Sequence, residues 1–424
     1  MPTPFPHQIE GARFLASGGV MLADDPRVGK TGAAVMACDL VLARRVLVVT
    51  TATGRANFGR EFGLWQAFPR RVQVLYGATE RIAGDTEVLV VGWSILADRG
   101  VLDRLHRWQH DVLVLDESHY AKNPDAKRTQ AAMGLAHVAE RVFMLTGTPM
   151  PNAPNDLWPM LNAVDASRID NMTYDAFLRR YCYVRQKWVS GRRIDVVMGG
   201  KNLPELRERL KGFWLRRTQA DVGIREPIYS VLALEASGLP AVDDETVQAV
   251  LDAAEAGDTG TLDMHMGELR RVTGQIKAVA LAELLLEELQ NGLDKVVLMC
   301  WHQDVIDQLA GRLALHGVST LDGRTPAAKR LSQVEKFQTG SRRVFVGQMQ
   351  AAGEAIDLSS SCNLVFAEAS FVPKDMRQAA LRITNHGQKR QCLVRFAALA
   401  GSIDEALTAV LTRKVATIKE VLKA

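Results

Sequence analysis

Hydrophobic residues along the chain are concentrated in short runs, rich in valine and leucine, that are nearly continuous rather than alternating with polar residues. Parallel strands that are buried on both faces have this pattern, because helices cover both sides of such a sheet. A first set of predicted strands lies at residues 20–23, 45–50, 72–76, 87–91, 112–115 and 142–145. A second set lies at residues 295–300, 318–321, 343–346, 364–367 and 391–396.

Segments of helical length separate most of the predicted strands within each set. Strands that alternate with helices favour a parallel sheet with helices on both faces and right-handed crossovers. The sequence therefore predicts an α/β chain with two doubly wound parallel-sheet domains.

The chain between the two sets lacks this alternation of strands and helices. Residues 154–266 are predicted to be mostly helical, with a hairpin that contains glycine and arginine at 188–198. Residues 402–424 have apolar positions near helical spacing and are predicted to pack on the core as a closing helix. The expected division is a first domain at 1–153, a helical insertion and linker at 154–235, a helical insertion of the second domain at 236–290, and the second domain with its closing helix at 291–424.

Composition narrows the class of protein without deciding its function. The 424 residues are 47% hydrophobic and 24% charged with a net charge of +4, which allows an anionic partner without requiring one. The five cysteines lie far apart, so neither a disulfide framework nor a zinc site is expected. The sequence has no secretory signal pattern and no apolar run near the ~20 residues that span a bilayer. We expect a cytoplasmic protein that does not bind membranes.

A candidate phosphate loop follows the first predicted strand. Residues 24–31 read Asp-Asp-Pro-Arg-Val-Gly-Lys-Thr and precede a predicted helix, whose amino-terminal amides favour a phosphate anion. Asp24 occupies the position where the usual phosphate-loop pattern has its first glycine, so Gly29, Lys30 and Thr31 carry the match. The alternative interpretation is a glycine turn with a surface lysine.

Two adjacent carboxylates, Asp116 and Glu117, come directly after the buried run 112–115. Carboxylates at the end of a central strand are costly to desolvate unless a cation lies nearby. A magnesium ion held by Thr31, Asp116 and ATP phosphates supplies that cation, and leaves Glu117 to orient and deprotonate the attacking water. The two segments together predict a site for ATP and Mg²⁺. Gln8 is either part of a simple helix start or a reader of the adenine edge through its amide.

Further segments resemble the helicase-like motors of superfamily two and, within it, the Swi/Snf-type translocases of double-stranded DNA. Asp-Glu-Ser-His at 116–119 and Leu-Thr-Gly-Thr-Pro at 145–149 occur in the order of that superfamily. Residues 213–222, Phe-Trp-Leu-Arg-Arg-Thr-Gln-Ala-Asp-Val, are similar to the Swi/Snf segment with paired arginines. Segments that fall where the family's second lobe carries its motifs are 321–326, 334–338, 351–358 and 378–388. Residues 177–182, with the basic hairpin after them, are similar to the annealing-helicase (HepA-related) subgroup.

This resemblance implies two RecA-like lobes and a role for residues in each. The implied roles in the first lobe are adenine binding by Gln8, phosphate binding by Gly29, Lys30 and Thr31, magnesium binding by Thr31 and Asp116, water activation by Glu117, and coupling of the nucleotide to lobe movement by His119, Thr146 and Thr148. The implied roles in the second lobe are contact with ATP and DNA at Gly353 and Asp357, and contact with the γ-phosphate by Gln378 and Arg382. Closure on ATP would assemble the site, and hydrolysis would release it.

The implied nucleic-acid partner is double-stranded or branched DNA, bound through its phosphates. Candidate charged contacts are Lys122, Arg324, Lys329 and Arg330, each of which is an ordinary solvated side chain in the alternative interpretation. The sequence has no tract of interleaved basic and aromatic residues, so sequence-specific reading of bases is not expected. Trp301 is interpreted as a core residue rather than a stacking platform. We expect a monomer, which would borrow targeting from a protein partner.

Two positions depart from the family's pattern. The family motif ends in Arg-x-x-Arg-x-Gly-Gln, whereas residues 382–388 have Asn385 at the second arginine. An arginine finger contributes ~10³ to 10⁵ in rate, so hydrolysis is slow unless another group supplies its charge. In the phosphate loop, Pro26 and Arg27 stand where the family has a hydrophobic residue and glycine. Our hypothesis is that Arg27 partly replaces the missing charge; the alternative is a guanidinium that faces solvent or pairs with Asp25.

Three functions are compatible with these residues. The first is ATP-dependent translocation on double-stranded DNA, with remodelling of the DNA or displacement of bound proteins. The second is an ATP-controlled DNA-binding clamp with impaired hydrolysis. The third is a strand-separating or annealing helicase, which the paired arginines and the Asp-Glu-Ser-His segment disfavour for strand separation. A motor of this size suits a bacterial or viral genome, so we expect a nucleoid-associated protein in the cytoplasm.

Overall fold

The computed structural model describes residues 2–147, 149–150, 153–189, 192–235, 244–256, 259–352 and 356–423. The chain divides into two compact units, Met1–Val222 and Gly223–Ala424. The helices of the first unit are α1 (Pro6–Ala16), α2 (Lys30–Leu40), α3 (Gly54–Trp65), α4 (Arg99–Trp108), α5 (Lys127–Val138), α6 (Trp158–Asp165), α7 (Tyr174–Tyr181) and α8 (Leu203–Arg209). Those of the second unit are α9 (Asp244–Ala256), α10 (Thr259–Gln290), α11 (Gln303–Arg312), α12 (Ala327–Gln338), α13 (Met349–Ala352), α14 (Pro373–Ala380) and α15 (Ile403–Lys423). Short 3-10 helices lie at Ser118–Ala121, Pro154–Leu157, Ala166–Ile169, Ala220–Val222, Ala314–His316 and Leu381–Ile383.

The first unit is built on a parallel sheet. Its strands are β1 (Met21–Leu22), β2 (Val46–Thr50), β3 (Val72–Val74), β4 (Val88–Gly92), β5 (Val112–Asp116), β6 (Arg141–Leu145) and β9 (Trp214–Leu215), and their order across the sheet is β3-β4-β2-β5-β6-β1-β9. All the pairings in this sheet are parallel. The carboxyl ends of its strands therefore lie at one edge, where ligands of doubly wound sheets bind.

Both faces of this sheet are buried, as the continuous apolar runs predict. Along β2, Leu47 and Val49 pack in one core cluster with residues of α4 and α5, including Leu105 and Leu135. The alternate positions of the same strand pack in a second cluster with α2 and α3. Successive side chains of a strand point to opposite faces, so one short strand contributes to both cores.

The second unit has a parallel sheet of its own. Its strands are β10 (Ile228–Leu234), β11 (Val296–Cys300), β12 (Val318–Leu321), β13 (Val344–Gln348), β14 (Asn363–Phe366) and β15 (Leu393–Leu399), in the order β10-β15-β14-β11-β13-β12. The pairings are again parallel. On one face α10 and α11 pack on the sheet. On the other face the core includes residues of α12, α14 and α15. The predicted fold of two doubly wound parallel-sheet lobes is confirmed.

The predicted closing helix is also confirmed, since α15 contributes Leu407 and Leu411 to the core of the second unit. A buried lysine of α10, Lys277, holds the first turn of α15 in place. The Lys277 ammonium lies 3.1 Å from Asp404 Oδ1 and donates to Ala397 O at 3.1 Å. In the part of the chain that the structure describes, no helix combines the length and apolarity needed to cross a membrane.

The segment predicted as a helical insertion and linker, 154–235, contains more strand than expected. The predicted hairpin is present but longer, with antiparallel strands β7 (Cys182–Val189) and β8 (Arg192–Gly200). Strand β9 pairs with β1 in the first sheet, and β10 pairs with β15 in the second. The unit boundary after Val222 therefore divides this segment. The two strands escape prediction because β9 has two residues, and β10 is a sheet-edge strand with exposed positions rather than a continuous apolar run.

Candidate functional site

The candidate phosphate loop joins β1 to α2 at the carboxyl edge of the first sheet. Helix α2 begins at Lys30. The backbone N–H groups of the first turn of a helix have no acceptor within the helix, so they can bind an anion at its amino end. Gly29, which precedes the helix, has φ +98°, and a Cβ at this position would approach Gln8 Nε2 to 2.6 Å. Glycine is therefore required here for both conformation and space.

The carbonyl groups of this loop are turned toward neighbouring side chains. They accept hydrogen bonds from Lys30 Nζ at Asp24 O (2.7 Å) and Asp25 O (3.0 Å), from Gln219 Nε2 at Pro26 O (2.9 Å), from His7 Nε2 at Val28 O (2.8 Å), and from Gln8 Nε2 at Gly29 O (3.4 Å). A phosphate loop binds its anion through N–H groups. The loop carbonyls are thus paired within the protein, two of them with the Lys30 ammonium itself.

The two predicted acidic residues follow β5. Asp116 Oδ2 accepts a hydrogen bond from Thr50 Oγ1 at 2.6 Å, and its carbonyl accepts one from Trp93 Nε1 at 2.8 Å. Burial, followed by repulsion from Glu117, raises the pKa of the Asp116 carboxyl to about 7. Glu117 has φ +48°, a left-handed conformation that is costly for a residue with a side chain and recurs at functional sites.

Lys30 belongs to the same electrostatic cluster as these carboxylates. Burial lowers the pKa of its ammonium, and the attraction of Glu117, Asp24, Asp116 and Asp25 opposes that shift. Glu117 contributes the largest of these opposing effects. Residues far apart in sequence, on the loop after β1 and at the end of β5, are therefore brought together as predicted.

His119 links Glu117 to the end of β6. Its Nδ1 lies 3.3 Å from Glu117 Oε2 and 3.1 Å from Thr146 Oγ1. Thr146 is fully buried. The expected coupling residues His119 and Thr146 are thus in contact, whereas Thr148 lies outside the described residues.

In the second unit, two segments from the predicted motifs come together. Leu358 N donates to Arg382 O at 3.0 Å, and Gln388 Nε2 donates to the carbonyls of Ser359 (3.0 Å) and Ser361 (3.1 Å). Asn385 Nδ2 donates to Ser359 Oγ at 2.5 Å. The asparagine at the family's second arginine position is therefore used to join these segments.

The other predicted residues of this region are distributed around the same cluster. Asp357 Oδ1 accepts hydrogen bonds from the Ser359 amide (3.0 Å) and hydroxyl (2.6 Å). Arg382 is buried, and Gln378 lies on α14. Gly353 lies outside the described residues.

Comparison with known proteins decides the family. A model of the SNF2-related domain matches residues 7–235, more than half of the chain, and a model of the helicase conserved C-terminal domain matches residues 277–387. The chain belongs to the SNF2-related family. The predicted resemblance to Swi/Snf-type ATPases is confirmed. The first match covers most of the first unit and continues to residue 235, past the end of that unit at Val222, whereas the second match lies within the second unit.

Relatives in this SNF2-related family include two kinds of large protein. The mouse protein named DNA annealing helicase and endonuclease ZRANB3 is 27% identical over 96% of this chain and 40% of its own length. The Caenorhabditis elegans homologue of SWI/SNF-related matrix-associated actin-dependent regulator of chromatin subfamily A-like protein 1 is 26% identical over 98% of this chain and 61% of its own length. The chain thus spans 40% and 61% of the length of these two curated relatives.

Solved structures similar to this SNF2-related chain include the Sulfolobus solfataricus SWI2/SNF2 ATPase core in complex with dsDNA. It is 19% identical, with a TM-score of 0.47, over 99% of this chain and 95% of the other. The ATPase core domain from the same organism is 20% identical, with a TM-score of 0.46, over 99% and 90% of the two chains.

Gln8, the expected adenine reader of a SNF2-related site, lies against the phosphate loop. It is 4% exposed, and its Oε1 accepts a hydrogen bond from Phe5 N at 2.9 Å. Its Nε2 lies 3.4 Å from Gly29 O. In this arrangement both ends of the amide contact the protein's own backbone, and the side chain supports the loop that precedes α2.

Arg27 has φ +71°, so the residue that replaces the family's glycine retains a glycine-like backbone conformation. Magnesium suits the oxygen donors of this region, the Thr31 hydroxyl and the Asp116 carboxylate. The raised pKa of Asp116 is the shift that a bound cation would reverse.

The predicted DNA contacts differ in their surroundings. Arg324 pairs with Asp322 and Asp307, whose oxygens lie 2.5 Å and 2.7 Å from Nη2, at the edge of an open pocket of about 680 Å³. Its charge is therefore largely offset within the protein. Lys329 is exposed on α12, and Arg330 Nε donates to Thr325 O at 3.1 Å.

The remaining aromatic and basic candidates occupy two different settings. Lys122 is half-buried at the end of the 3-10 helix Ser118–Ala121. Trp301, interpreted as a core residue, packs against the core of the second unit. The Arg270 guanidinium carbon lies 4.3 Å from the centroid of the Trp301 ring.

Sequence reasoning missed the side chains that hold the phosphate loop in place. Asp24 is 1% exposed and pairs with Arg217, whose Nη2 lies 2.6 Å from Asp24 Oδ2. The partners are separated by 193 positions in the sequence. Two features of the sequence could have indicated this ion pair. An aspartate occupies a loop position that usually has glycine, and two arginines follow directly after β9.

Proposed function

We propose that the protein is a DNA-dependent ATPase that uses Mg²⁺-ATP to translocate on double-stranded DNA. The observation that carries this proposal is the cluster of Lys30, Asp116 and Glu117 at the carboxyl edge of the first sheet, next to the amino end of α2. Membership in the SNF2-related family supports the same chemistry.

In this proposal the candidate site residues of the first unit have distinct roles. The amides of the first turn of α2 and the Lys30 ammonium bind the β- and γ-phosphates. Thr31 and Asp116 hold magnesium, which offsets the negative charge of the phosphates. Glu117 orients the attacking water and accepts its proton, and His119 transmits the change at Glu117 to Thr146.

In the second unit, we assign Arg382 and Gln378 to the γ-phosphate by their place in the family motif. Asp357 and Gly353 belong to the neighbouring motif that faces both nucleotide and DNA. Alternating affinity of the two units for the phosphate backbone would convert each hydrolysis into a step along the duplex.

The DNA partner is proposed from the relatives, one of which is named a DNA annealing helicase. Remodelling of branched DNA and displacement of bound proteins are the outcomes that translocation produces. Localisation in the cytoplasm, the monomeric state and a targeting partner belong to the same proposal.

A second candidate function is an ATP-controlled DNA clamp. The observation that favours it is the neutral contact between Asn385 and Ser359 at the family's second arginine position. A clamp would bind DNA in response to ATP and turn over slowly. An annealing helicase is a third candidate, because a relative carries that name.

Steady-state ATPase assays separate these functions. Hydrolysis is measured without DNA and with single-stranded, duplex and branched DNA, at several salt concentrations so that electrostatic binding is not mistaken for preference. A translocase is stimulated by duplex DNA, whereas a clamp binds duplex DNA with ATP without stimulated turnover. Failure of the protein to bind Mg²⁺-ATP would contradict both.

A further inference from the structure

The last segment of the first unit runs alongside the phosphate loop. After β9 the chain continues through Arg216 and Arg217 to the end of the unit at Val222. Ala23 N donates to Leu215 O at 2.8 Å, and Asp25 N donates to Arg217 O at 2.9 Å. The pairing of β1 with β9 therefore extends into the loop that binds phosphate.

A buried ion pair joins the two segments. Arg217 Nε lies 3.1 Å from Asp24 Oδ1, and its Nη2 lies 2.6 Å from Asp24 Oδ2. The Arg217 amide donates to the same carboxylate at 2.8 Å. A two-pronged contact of this kind fixes orientation as well as distance. Loss of Arg217 would leave the buried Asp24 carboxylate without this counter-charge, whereas Arg217 has a second carboxylate partner in Glu10, 3.0 Å from its Nη1. The position of the loop therefore depends on Arg217.

Two more side chains of this segment hold the loop backbone. Gln219 is fully buried, and its Nε2 donates to Pro26 O at 2.9 Å. Arg216 Nη1 donates to Ala23 O at 3.1 Å. These contacts turn loop carbonyls toward the segment, which is the orientation that an anion site built from amides requires.

The segment is itself stiffened just before the unit ends. Asp221 Oδ2 accepts hydrogen bonds from the Thr218 amide (2.7 Å) and hydroxyl (2.8 Å). The 3-10 helix Ala220–Val222 follows at once. A displacement of the chain at Val222 therefore reaches Gln219 and Arg217 through a short, hydrogen-bonded turn.

We propose that Arg217 and Gln219 are positioning residues of the nucleotide site, which link the geometry of the phosphate loop to the chain that leaves the first unit. This proposal rests on the ATP site proposed above. Displacement of the chain after Val222 changes the affinity of the loop for the β- and γ-phosphates. Bound phosphates restrain that chain in return, because coupling between two sites is reciprocal.

The test compares AMP, ADP and ATP, each with Mg²⁺ and without DNA, by titration calorimetry on the full chain. In Arg217→Gln, the gain in affinity from AMP to ATP falls by roughly tenfold or more, the scale of one charged hydrogen bond. In Gln219→Ala the gain falls by about threefold to tenfold. Affinity for AMP falls less than affinity for ATP in both variants, because AMP lacks the β- and γ-phosphates that the loop binds.

The matched control is Arg209→Gln, which removes contacts with Glu205 and Asp170 in the same unit. It keeps the wild-type gain from AMP to ATP. Arg217→Lys keeps the charge without the two-pronged geometry and gives an intermediate gain. Circular dichroism and thermal unfolding establish that each variant is folded. Should Arg217→Gln fail to fold, Gln219→Ala and Arg217→Lys carry the test.

Two results would overturn the proposal. One is a wild-type gain from AMP to ATP in folded Arg217 and Gln219 variants. The other is an equal loss of affinity for all three nucleotides, which would indicate general support of the fold. If the wild-type protein binds no ATP, the proposed function itself is wrong, and the inference that rests on it is wrong as well. Failure of the inference alone is recognised by a wild-type protein that binds ATP.

The link to the departing chain is tested by inserting two glycines after Val222. Nucleotide affinities without DNA stay at the wild-type level, because the contacts of Arg217 and Gln219 with the phosphate loop are intact. The change in ATP affinity that duplex DNA produces becomes smaller by threefold or more, as the flexible insertion absorbs the displacement. An unaltered effect of DNA in this variant would remove the transmission part of the proposal.

Discussion

The candidate residues of the first unit and those of the second unit are organised by different chemistry. In the first unit, the Lys30 ammonium and the carboxylates of Asp116 and Glu117 influence one another's ionisation. In the second unit, neutral groups join the motif segments, as in the hydrogen bond from Asn385 to Ser359. The first arrangement is organised by charge. In the second, the segments are joined to each other by amide, hydroxyl and carbonyl groups, and the Asp357 carboxylate is paired with Ser359 within one segment.

This difference indicates where departures from the family's pattern are tolerated. A change of charge at one residue of the first cluster alters the pKa values of its neighbours, because the groups are desolvated and close together. The neutral network of the second unit accommodates an asparagine in place of arginine through one hydrogen bond. We therefore expect the first unit to determine whether hydrolysis occurs and the second to determine how fast it is.

The largest effect is expected from Glu117→Gln, which removes the base from the charged cluster. Turnover falls by about 10² to 10⁴, the usual contribution of a positioned general base. Binding of Mg²⁺-ATP is retained because Lys30 and Asp116 are unchanged. Single-turnover hydrolysis and nucleotide titration measure the two quantities. The exposed Glu140→Gln serves as control and keeps wild-type turnover. Normal hydrolysis by Glu117→Gln would move the base to another residue.

A second prediction separates the side chain of Arg27 from its backbone conformation. If the guanidinium supplies charge to the reaction, both Arg27→Ala and Arg27→Gly abolish residual ATPase. Glycine relieves the cost of φ +71°, about 1 kcal/mol, whereas alanine retains it. ATPase assays and chemical unfolding distinguish the two effects. Full activity in both variants would assign Arg27 to the surface of the loop.

A third prediction restores charge to the second unit. Asn385→Arg raises DNA-stimulated turnover by about tenfold or more if the missing arginine limits the chemical step. Asn385→Gln, which adds length without charge, gives no increase. Steady-state ATPase with saturating duplex DNA measures the change. An unchanged rate in Asn385→Arg would mean that another group supplies the charge.

The smallest effect concerns stability and pH in the absence of magnesium and nucleotide. Since the pKa of Asp116 is raised to about 7, the folded protein binds a proton more tightly than the unfolded chain. Stability therefore falls as pH rises from about 4 to about 7 and is constant above that range. Asp116→Asn lacks this fall, so we expect it to be more stable than wild type at pH 8, with a higher melting temperature.

Thermal unfolding of both proteins at pH 5 and pH 8 tests this prediction. Asn keeps an oxygen that accepts the Thr50 hydroxyl, so the comparison isolates the charge. Equal pH dependence in the two proteins would indicate that Asp116 is not the titrating group. Added Mg²⁺ stabilises wild type and has little effect on the variant.

Most of the fold could be predicted because buried parallel strands leave continuous apolar runs in the sequence. The proximity of Lys30 to Asp116 and Glu117 could be predicted as well, since these residues follow strands whose carboxyl ends lie at the same edge of the sheet. The partners of Asp24 could not, because an ion pair between positions 193 apart leaves no local pattern. Its partner, Arg217, was recognised only as part of a family segment.

Strand β10 has a practical consequence for work on isolated fragments. It pairs along its whole length with β15, from Ile228 against Leu393 to Leu234 against Leu399. A fragment that begins at residue 236 would leave the backbone groups of β15 uncovered, and an uncovered strand invites aggregation by intermolecular pairing. A fragment that begins at Gly223 retains its own protective edge, and we expect it to remain soluble at concentrations where the shorter one precipitates.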